Sequence, residues 1–216
     1  MLGGGTEREA LCPGYGPAAW SPDGKTLVFT EARGDVDADI LLADLSGPQT
    51  RVVAWRQTPT LDHHPALSPN GKWLAFASDE SGAEEVYVES FPKPGSRQKV
   101  STAGGREPTW APGGDELFFM GRCASGIEAT SGCFFAVPFR EGSHPIIGRL
   151  RSFAEVSNLM KCAPNRCYDI APDGWRFLVT LLEPPHPSTP SSTTHEIQVV
   201  LNWVEELKAK VPSGTR

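Results

Sequence analysis

A short turn motif occurs four times along the 216-residue chain, and it restricts the fold more than any other feature. Its copies are Pro22-Asp23-Gly24, Pro69-Asn70-Gly71, Pro112-Gly113-Gly114 and Pro172-Asp173-Gly174. Proline presets φ for a β-turn, Asp or Asn can close an Asx-type turn, and glycine accepts the positive φ that follows. Apolar residues lie on both sides of each copy, and a polar turn between apolar segments predicts a β-hairpin.

The spacing of these turns predicts the architecture. Their central residues are 47, 43 and 60 positions apart, and the first two intervals fit the roughly 40–45 residues of a four-stranded propeller blade. We attribute the longer third interval to an insertion in the loop between Cys123 and Cys133. Such repeats stack face to face, and about 4–8 of them close into a ring. The sequence therefore predicts an all-β propeller with four recognisable four-stranded blades.

The boundaries of the predicted blades follow from the repeat. We place the propeller at residues 11–208, with blades at about 11–55, 56–102, 103–157 and 158–208. Residues 1–10 are predicted to be a flexible N-terminus and residues 209–216 a tail. A short helix could form just before that tail, at residues 203–208.

Composition narrows the class of partner and the compartment. The formal net charge is −6, which argues against nucleic-acid binding, since that requires a clustered basic face. No apolar run reaches the ~18 residues of a membrane span. Residues 1–10 also lack the apolar stretch of a signal peptide. Either the protein is cytosolic, or an export signal lies on a part of the chain not included here.

Five cysteines bear on the same choice. Cys123 and Cys133 bracket one loop, Cys162 and Cys167 bracket another, and Cys12 is left over. Two close pairs are typical of disulfides in an oxidising compartment, and five free thiols in a reduced cytosol are the alternative. No C-x-x-C pair occurs, so a zinc site of that type is not expected. No cofactor is expected either.

Two groups of side chains could in principle bind a metal. His63 and His64 are adjacent, and adjacent residues of a regular strand point to opposite faces, so they should not chelate one ion together. Asp35, Asp37 and Asp39 alternate and would share one face of a strand, where Ca²⁺ could bind. They lack the accompanying ligand loop, and a solvated hairpin is the favoured interpretation. We therefore predict structural roles for both groups and no metal site.

The remaining candidates also favour structural roles. Glu84 and Glu85 are interpreted as a charged strand entrance. Inter-blade packing is the predicted role of Trp20, Trp73, Trp110 and Trp175. No Gly-x-Ser-x-Gly elbow occurs, and the motif serines already have a place in the turns. No catalytic residue is predicted, and the protein is expected not to be an enzyme.

The turn motif resembles the repeat of TolB-type propellers, which is also seen in the propeller of prolyl oligopeptidase-like enzymes. A second set of motifs is similar to the C-terminal propeller of bacterial, eukaryotic-like serine/threonine protein kinases. That set comprises residues 91–95, 100–102, 104–105, 108–110, 116–119 and 136–138, and a chain ending that resembles theirs at 168–174, 199–203 and 206–208. The resemblance covers roughly residues 15–208.

This resemblance implies a sensor-like or scaffold propeller on the extracytoplasmic, periplasmic side, which binds a protein, peptide or glycan. TolB-like rings usually have six blades, so four blades imply a partial or open ring. The chain would then be the C-terminal part of a longer protein, a stand-alone remnant, or a propeller that completes its ring by self-association. No kinase motif is present in it. The alternatives are the gating propeller of a prolyl oligopeptidase-like hydrolase and a TolB-like periplasmic interaction protein.

Overall fold

The structure is a computed structural model that describes residues 17–33, 37–123, 132–159, 166–182 and 197–200, with 17–18 and 197–200 as backbone only. Sixteen β-strands and no helix occur in these ranges. The described part of the chain accordingly contains no helix with the length and apolarity needed to cross a membrane. The predicted N-terminus, C-terminal helix and tail lie outside the described residues.

The strands form four antiparallel sheets, each built from consecutive strands. Sheet 1 contains β1 (Pro17–Trp20), β2 (Thr26–Ala32), β3 (Ala38–Asp44) and β4 (Arg51–Arg56). Sheet 2 contains β5 (Asp62–Leu67), β6 (Trp73–Ser78), β7 (Glu85–Ser90) and β8 (Arg97–Lys99). Sheet 3 contains β9 (Arg106–Trp110), β10 (Glu116–Gly121), β11 (Gly132–Arg140), β12 (Ile146–Ile147) and β13 (Arg151–Val156). Sheet 4 contains β14 (Tyr168–Ile170), β15 (Phe177–Thr180) and β16 (Ile197–Val200). The all-β propeller prediction is confirmed.

Sheets 3 and 4 differ from the predicted four-stranded blade. In sheet 3 the outer position is shared by two strands, because β12 pairs with Phe139 and Arg140 of β11 whereas β13 pairs with the preceding part of β11. The 60-residue interval therefore contains an extra hairpin as well as the longer β10–β11 connection. The loop between Cys123 and Cys133 alone does not explain it. Sheet 4 has three described strands.

The repeated motif forms the turn between the first two strands of every sheet. The final glycines have φ between 69° and 74°, a region that L-residues adopt only at a cost: Gly24, Gly71, Gly114 and Gly174. Each of these glycines donates its backbone N–H to the carbonyl three residues earlier, at 2.8–2.9 Å. Where an Asp or Asn precedes the glycine, its Oδ1 accepts from the backbone N–H two residues on, at 3.0–3.1 Å.

The same turns also contact one another between sheets. A Cβ on Gly71 would lie 2.9 Å from Cδ of Pro22, the proline of the preceding turn. A Cβ on Gly114 would lie 3.4 Å from Cδ of Pro69, and a Cβ on Gly174 would lie 3.5 Å from Cδ of Pro112. The motif therefore has a second role beyond turn geometry, because the prolines of the first three turns lie against the glycine of the next turn.

Apolar side chains between successive sheets form the core. β6 shows the pattern clearly: Leu74 and Phe76 face sheet 1, whereas Trp73 and Ala75 face sheet 3. Strand side chains alternate between faces, and a strand buried on both faces is almost continuously apolar, as β6 is up to its last residue, Ser78. A further cluster packs sheet 3 against sheet 4, and Phe177 and Val179 are its members from β15.

The outward faces of the first and last sheets leave apolar groups exposed. Trp20 and Trp110 occupy equivalent repeat positions, but Trp20 is 59% exposed and Trp110 is 5% exposed. On the other side, Leu178 is 41% exposed although its equivalents in the three preceding sheets are buried. Trp175 lies at an exposed turn position. The prediction that the four tryptophans pack between blades is therefore wrong for Trp20 and Trp175. No sheet of the described chain covers Trp20, whereas Trp175 lies at a turn position that is exposed in every repeat.

Candidate functional site

The first strands of sheets 2 and 3 begin with the same irregularity. β1 contacts β5 and β5 contacts β9, so these strands lie on the inner side of the stack. His64 and Glu107 have φ of 51° and 53°, and each precedes a proline. The pairing of each strand with its neighbour shifts register at this point, which identifies a β-bulge. Positive φ in residues other than glycine is costly and is found preferentially at functional sites.

The bulge overturns the expectation that the adjacent histidines point apart. Because the backbone of His64 is left-handed, the imidazoles of His63 and His64 lie together, with ring centroids 4.3 Å apart and an interplanar angle of 40°. The prediction assumed a regular strand, and the strand is not regular at this residue. Both rings are half-buried at the end of the sheet opposite the Pro-x-Gly turn.

Glu84, immediately before β7, completes this cluster. Its Oε1 lies 2.9 Å from Nε2 of His63, at an ion-pair distance, while that buried nitrogen makes no hydrogen bond of good geometry. The backbone N–H of Gly105 donates to the Glu84 carbonyl at 3.0 Å and fixes the backbone of this residue between sheets 2 and 3. One donor atom from each of His63, His64 and Glu84 lies within 4.8 Å of the others. Two imidazoles and a carboxylate can exchange protons or bind a cation.

The equivalent bulge in β9 serves a different purpose. Glu107 is buried, and its Oε2 accepts from the backbone N–H of Cys167 at 2.8 Å. Its carbonyl accepts from the Tyr168 hydroxyl at 2.5 Å, so this residue joins sheet 3 to sheet 4. Burial raises the pKa of the Glu107 carboxyl, and the negative charge of Glu84 raises it further. The hydrogen bond from the Cys167 N–H and the positive charge of Arg106 act in the opposite direction and lower this pKa. Arg106 Nε lies 3.7 Å from Glu107 Oε1.

We call His63, His64, Glu84, Arg106 and Glu107 the β5/β9 site. Arg106 and Glu107 were not predicted from the sequence, and Glu84 was predicted only as a strand entrance. A signal was available for two of the five, because His64 and Glu107 both stand five residues before a turn proline and are both followed by proline.

Other candidates lie away from this site. Cys123, two residues after the end of β10, and Cys133 of β11 are joined by a disulfide. Cys167 is also disulfide-bonded, whereas Cys162 and Cys12 lie outside the described residues. The twelve residues of the turn motif are at the opposite end of the sheets.

One prediction about carboxylates is wrong. Asp39 is buried and not part of a solvated hairpin, and Arg33 Nε contacts its Oδ2 at 2.6 Å. Glu85 begins β7, as the predicted strand entrance requires. It is nevertheless buried, and it accepts hydrogen bonds from the Ser101 hydroxyl and, at 3.1 Å, from the Gly104 N–H. Asp35 lies outside the described residues.

Comparisons with known proteins identify the repeat. The family model described as the TolB beta propeller domain, PD40, matches residues 9–131. A TolB from Agrobacterium tumefaciens is similar at 20% identity with a TM-score of 0.56, over 68% of this chain and 52% of that one. TolB from Acinetobacter baumannii is similar at 19% identity with a TM-score of 0.51, over 85% of this chain and 39% of that one.

An enzyme has the same fold. An oligogalacturonate lyase in complex with manganese is similar at 12% identity with a TM-score of 0.54, over 76% of this chain and 46% of that one. At such identities the likeness concerns the fold alone. The chain spans about half the length of the first TolB structure and less than half the length of the other two proteins.

Proposed function

This chain belongs to the TolB β-propeller family, and on that basis we propose that it is a binding or scaffold module without catalysis of its own. A protein, peptide or glycan would bind at the inner end of sheets 2 and 3, over the β5/β9 site. The observation that carries this proposal is the paired bulge. Two successive inner strands leave regular pairing at the same point and hold ionisable side chains at one end, at a conformational cost.

We further propose that the four sheets belong to a larger ring. The support is the exposure of Trp20 and Leu178 on the two outward faces, at positions that neighbouring sheets bury elsewhere in the repeat. The missing blades could come from a longer chain or from a second copy. A receptor-like serine/threonine kinase is the parent protein we favour, because the segment from Phe91 to Pro94 and the motifs after it resemble the propeller of such kinases.

An extracytoplasmic location fits this proposal. The disulfide between Cys123 and Cys133 supports it, since disulfides persist in oxidising compartments and are rare in the cytosol.

Selection of peptides from a random display library on the purified chain tests the binding role. The selected peptides should not bind a His63→Ala/Arg106→Ala variant. They should still bind the control variant Lys25→Ala, because Lys25 is exposed at the turn end of the sheets, away from the β5/β9 site. Peptides that bind both variants equally would place the binding surface elsewhere. A parallel panel of peptide and glycoside substrates addresses catalysis, and turnover that disappears in the His63→Ala/Arg106→Ala variant would contradict a non-catalytic role.

A further inference from the structure

We propose that His63, His64 and Glu84 form a binding site for one divalent transition-metal ion, with Zn²⁺ as the reference ion. The site lies on the surface to which the proposed function assigns ligand binding, and in that sense it rests on that proposal. Metal binding can nevertheless be measured with the metal alone, so the two ideas can fail independently.

The donor set favours this class of ion. Two imidazole nitrogens and one carboxylate oxygen suit Zn²⁺, Ni²⁺ or Cu²⁺, whereas Ca²⁺ and Mg²⁺ prefer an all-oxygen shell. Zinc sites with three protein ligands keep a fourth position for water or an incoming group. The side chain of Glu84 is 36% exposed and that of His63 is 16% exposed, so solvent reaches the carboxylate side of the cluster, whereas the ligand nitrogens of His63 and His64 are buried.

The distances require only small shifts of the donor atoms. The three donor atoms lie within 4.8 Å of one another. Ligand bonds of about 2.0–2.2 Å in a tetrahedron place donors roughly 3.4 Å apart. His63 Nε2 and Glu84 Oε1 are 2.9 Å apart, so this pair would have to open by about 0.5 Å to hold the ion. The buried Nε2 of His63 makes no hydrogen bond of good geometry, and an ion at this position would bind it.

The backbone holds the ligands in place before metal arrives. The left-handed conformation of His64 turns its ring onto that of His63. The Gly105 N–H fixes the carbonyl of Glu84. Ligands that are preorganised in this way lose little conformational entropy on binding.

The local charge also favours a cation. Glu84 and Glu107 are close enough for their charges to interact, since the carboxylate of Glu84 raises the pKa of Glu107. Arg106 is the nearby cation, and it is directed towards Glu107 at 3.7 Å. With neutral imidazoles the β5/β9 site carries one net negative charge when both carboxyls are ionised.

Isothermal titration of untagged, chelator-treated protein with ZnCl₂ tests the proposal. We expect one saturable site, at least tenfold weaker binding in His63→Gln, His64→Asn and Glu84→Gln, and a change below twofold in His144→Gln. Asn is chosen at position 64 because it tolerates positive φ and cannot supply the imidazole. His144, which is exposed between β11 and β12, controls for nonspecific histidine binding.

A second readout counts the nitrogen ligands. Electron paramagnetic resonance of bound Cu²⁺ should show coupling to two imidazole nitrogens in the wild type and to one in His63→Gln, provided that circular dichroism reports an intact fold. Failure of the wild type to bind Zn²⁺ at 1:1 would overturn the proposal, as would equal losses in His144→Gln. If Zn²⁺ does not bind but selected peptides still bind in the presence of EDTA, the metal site is refuted and the proposed binding function is supported.

Discussion

Trp110 and Trp20 offer a matched pair, because they occupy the same repeat position in different surroundings. Trp110 faces sheet 2, where its Nε1 donates to the Ala66 carbonyl at 2.9 Å. Within its own sheet its ring packs edge-on against Phe139, with ring centroids 4.7 Å apart. Trp20 lies on the outward face of sheet 1 and is 59% exposed. Substitution of each by alanine therefore removes the same side chain with and without a neighbouring sheet.

The magnitudes follow from the buried areas. A buried tryptophan removes about 150–250 Å² from water, which at about 25 cal/mol per Å² corresponds to roughly 4–6 kcal/mol. Losses for Trp→Ala in cores are about 3–5 kcal/mol, and we expect this range for Trp110→Ala. Trp20 buries only two fifths of its surface, so the same coefficient limits the cost of Trp20→Ala to about 2 kcal/mol.

Urea unfolding followed by far-ultraviolet circular dichroism measures both losses without relying on tryptophan fluorescence. Costs that agree within about 0.5 kcal/mol, the usual scatter for surface substitutions, would refute the argument that only Trp110 is covered. The measurement should be repeated at two protein concentrations. If a second copy covers Trp20, the wild type becomes more stable at the higher concentration and Trp20→Ala abolishes that dependence.

Three further predictions concern the turns, the buried carboxyl and the disulfide. Gly71→Ala should lower the free energy of unfolding by about 2–4 kcal/mol and Gly24→Ala by about 1 kcal/mol, and urea unfolding can measure both losses. Both glycines have positive φ, but only at position 71 would the added Cβ press on the proline of the preceding turn. The raised pKa of Glu107 means that the native state loses stability as pH rises from its usual 4.5 through the raised value. Glu107→Gln should therefore gain stability relative to wild type between pH 4 and pH 7, and thermal melts with no such pH-dependent gain would contradict this. Loss of the Cys123–Cys133 bond in the double serine variant should cost about 2–3 kcal/mol, as expected for a loop of this length, and an unchanged urea midpoint would contradict it.

The repeated turn was sufficient to predict the first two strands of every sheet, because its chemistry is local. Proline and glycine, with an Asx residue in three of the four copies, specify the hairpin, and the apolar segment after each turn forms its second strand. Burial of that strand on both faces depends also on a covering sheet, which Leu178 of β15 lacks in the described chain. The packing of Pro22 on Gly71 could not be read in the same way. It joins residues of different repeats, and its existence depends on how the sheets stack.

The β5/β9 site was missed for a different physical reason. The expectation for His63 and His64 applied strand alternation, which is valid only while the pairing register is unbroken. A bulge inserts one residue and reverses the side on which the next side chain lies. The cue was the proline after His64 and after Glu107, since a residue before proline avoids the α region and a strand proline is confined to edges and bulges.

The two ends of the sheets differ in how much chemistry they allow. At the turn end every repeat has the proline and the glycine, because each pair both closes a hairpin and contacts the neighbouring turn. At the other end the position five residues before the turn proline is His64, Glu107 and then Cys167 in successive sheets. The first lies in a histidine–carboxylate cluster, the second accepts a hydrogen bond from the third, and the third is in a disulfide. Packing thus tolerates different side chains at this position, and the role of each is set by its neighbours: Glu107 links sheet 3 to sheet 4, whereas His64 takes part in a cluster at the surface of sheet 2.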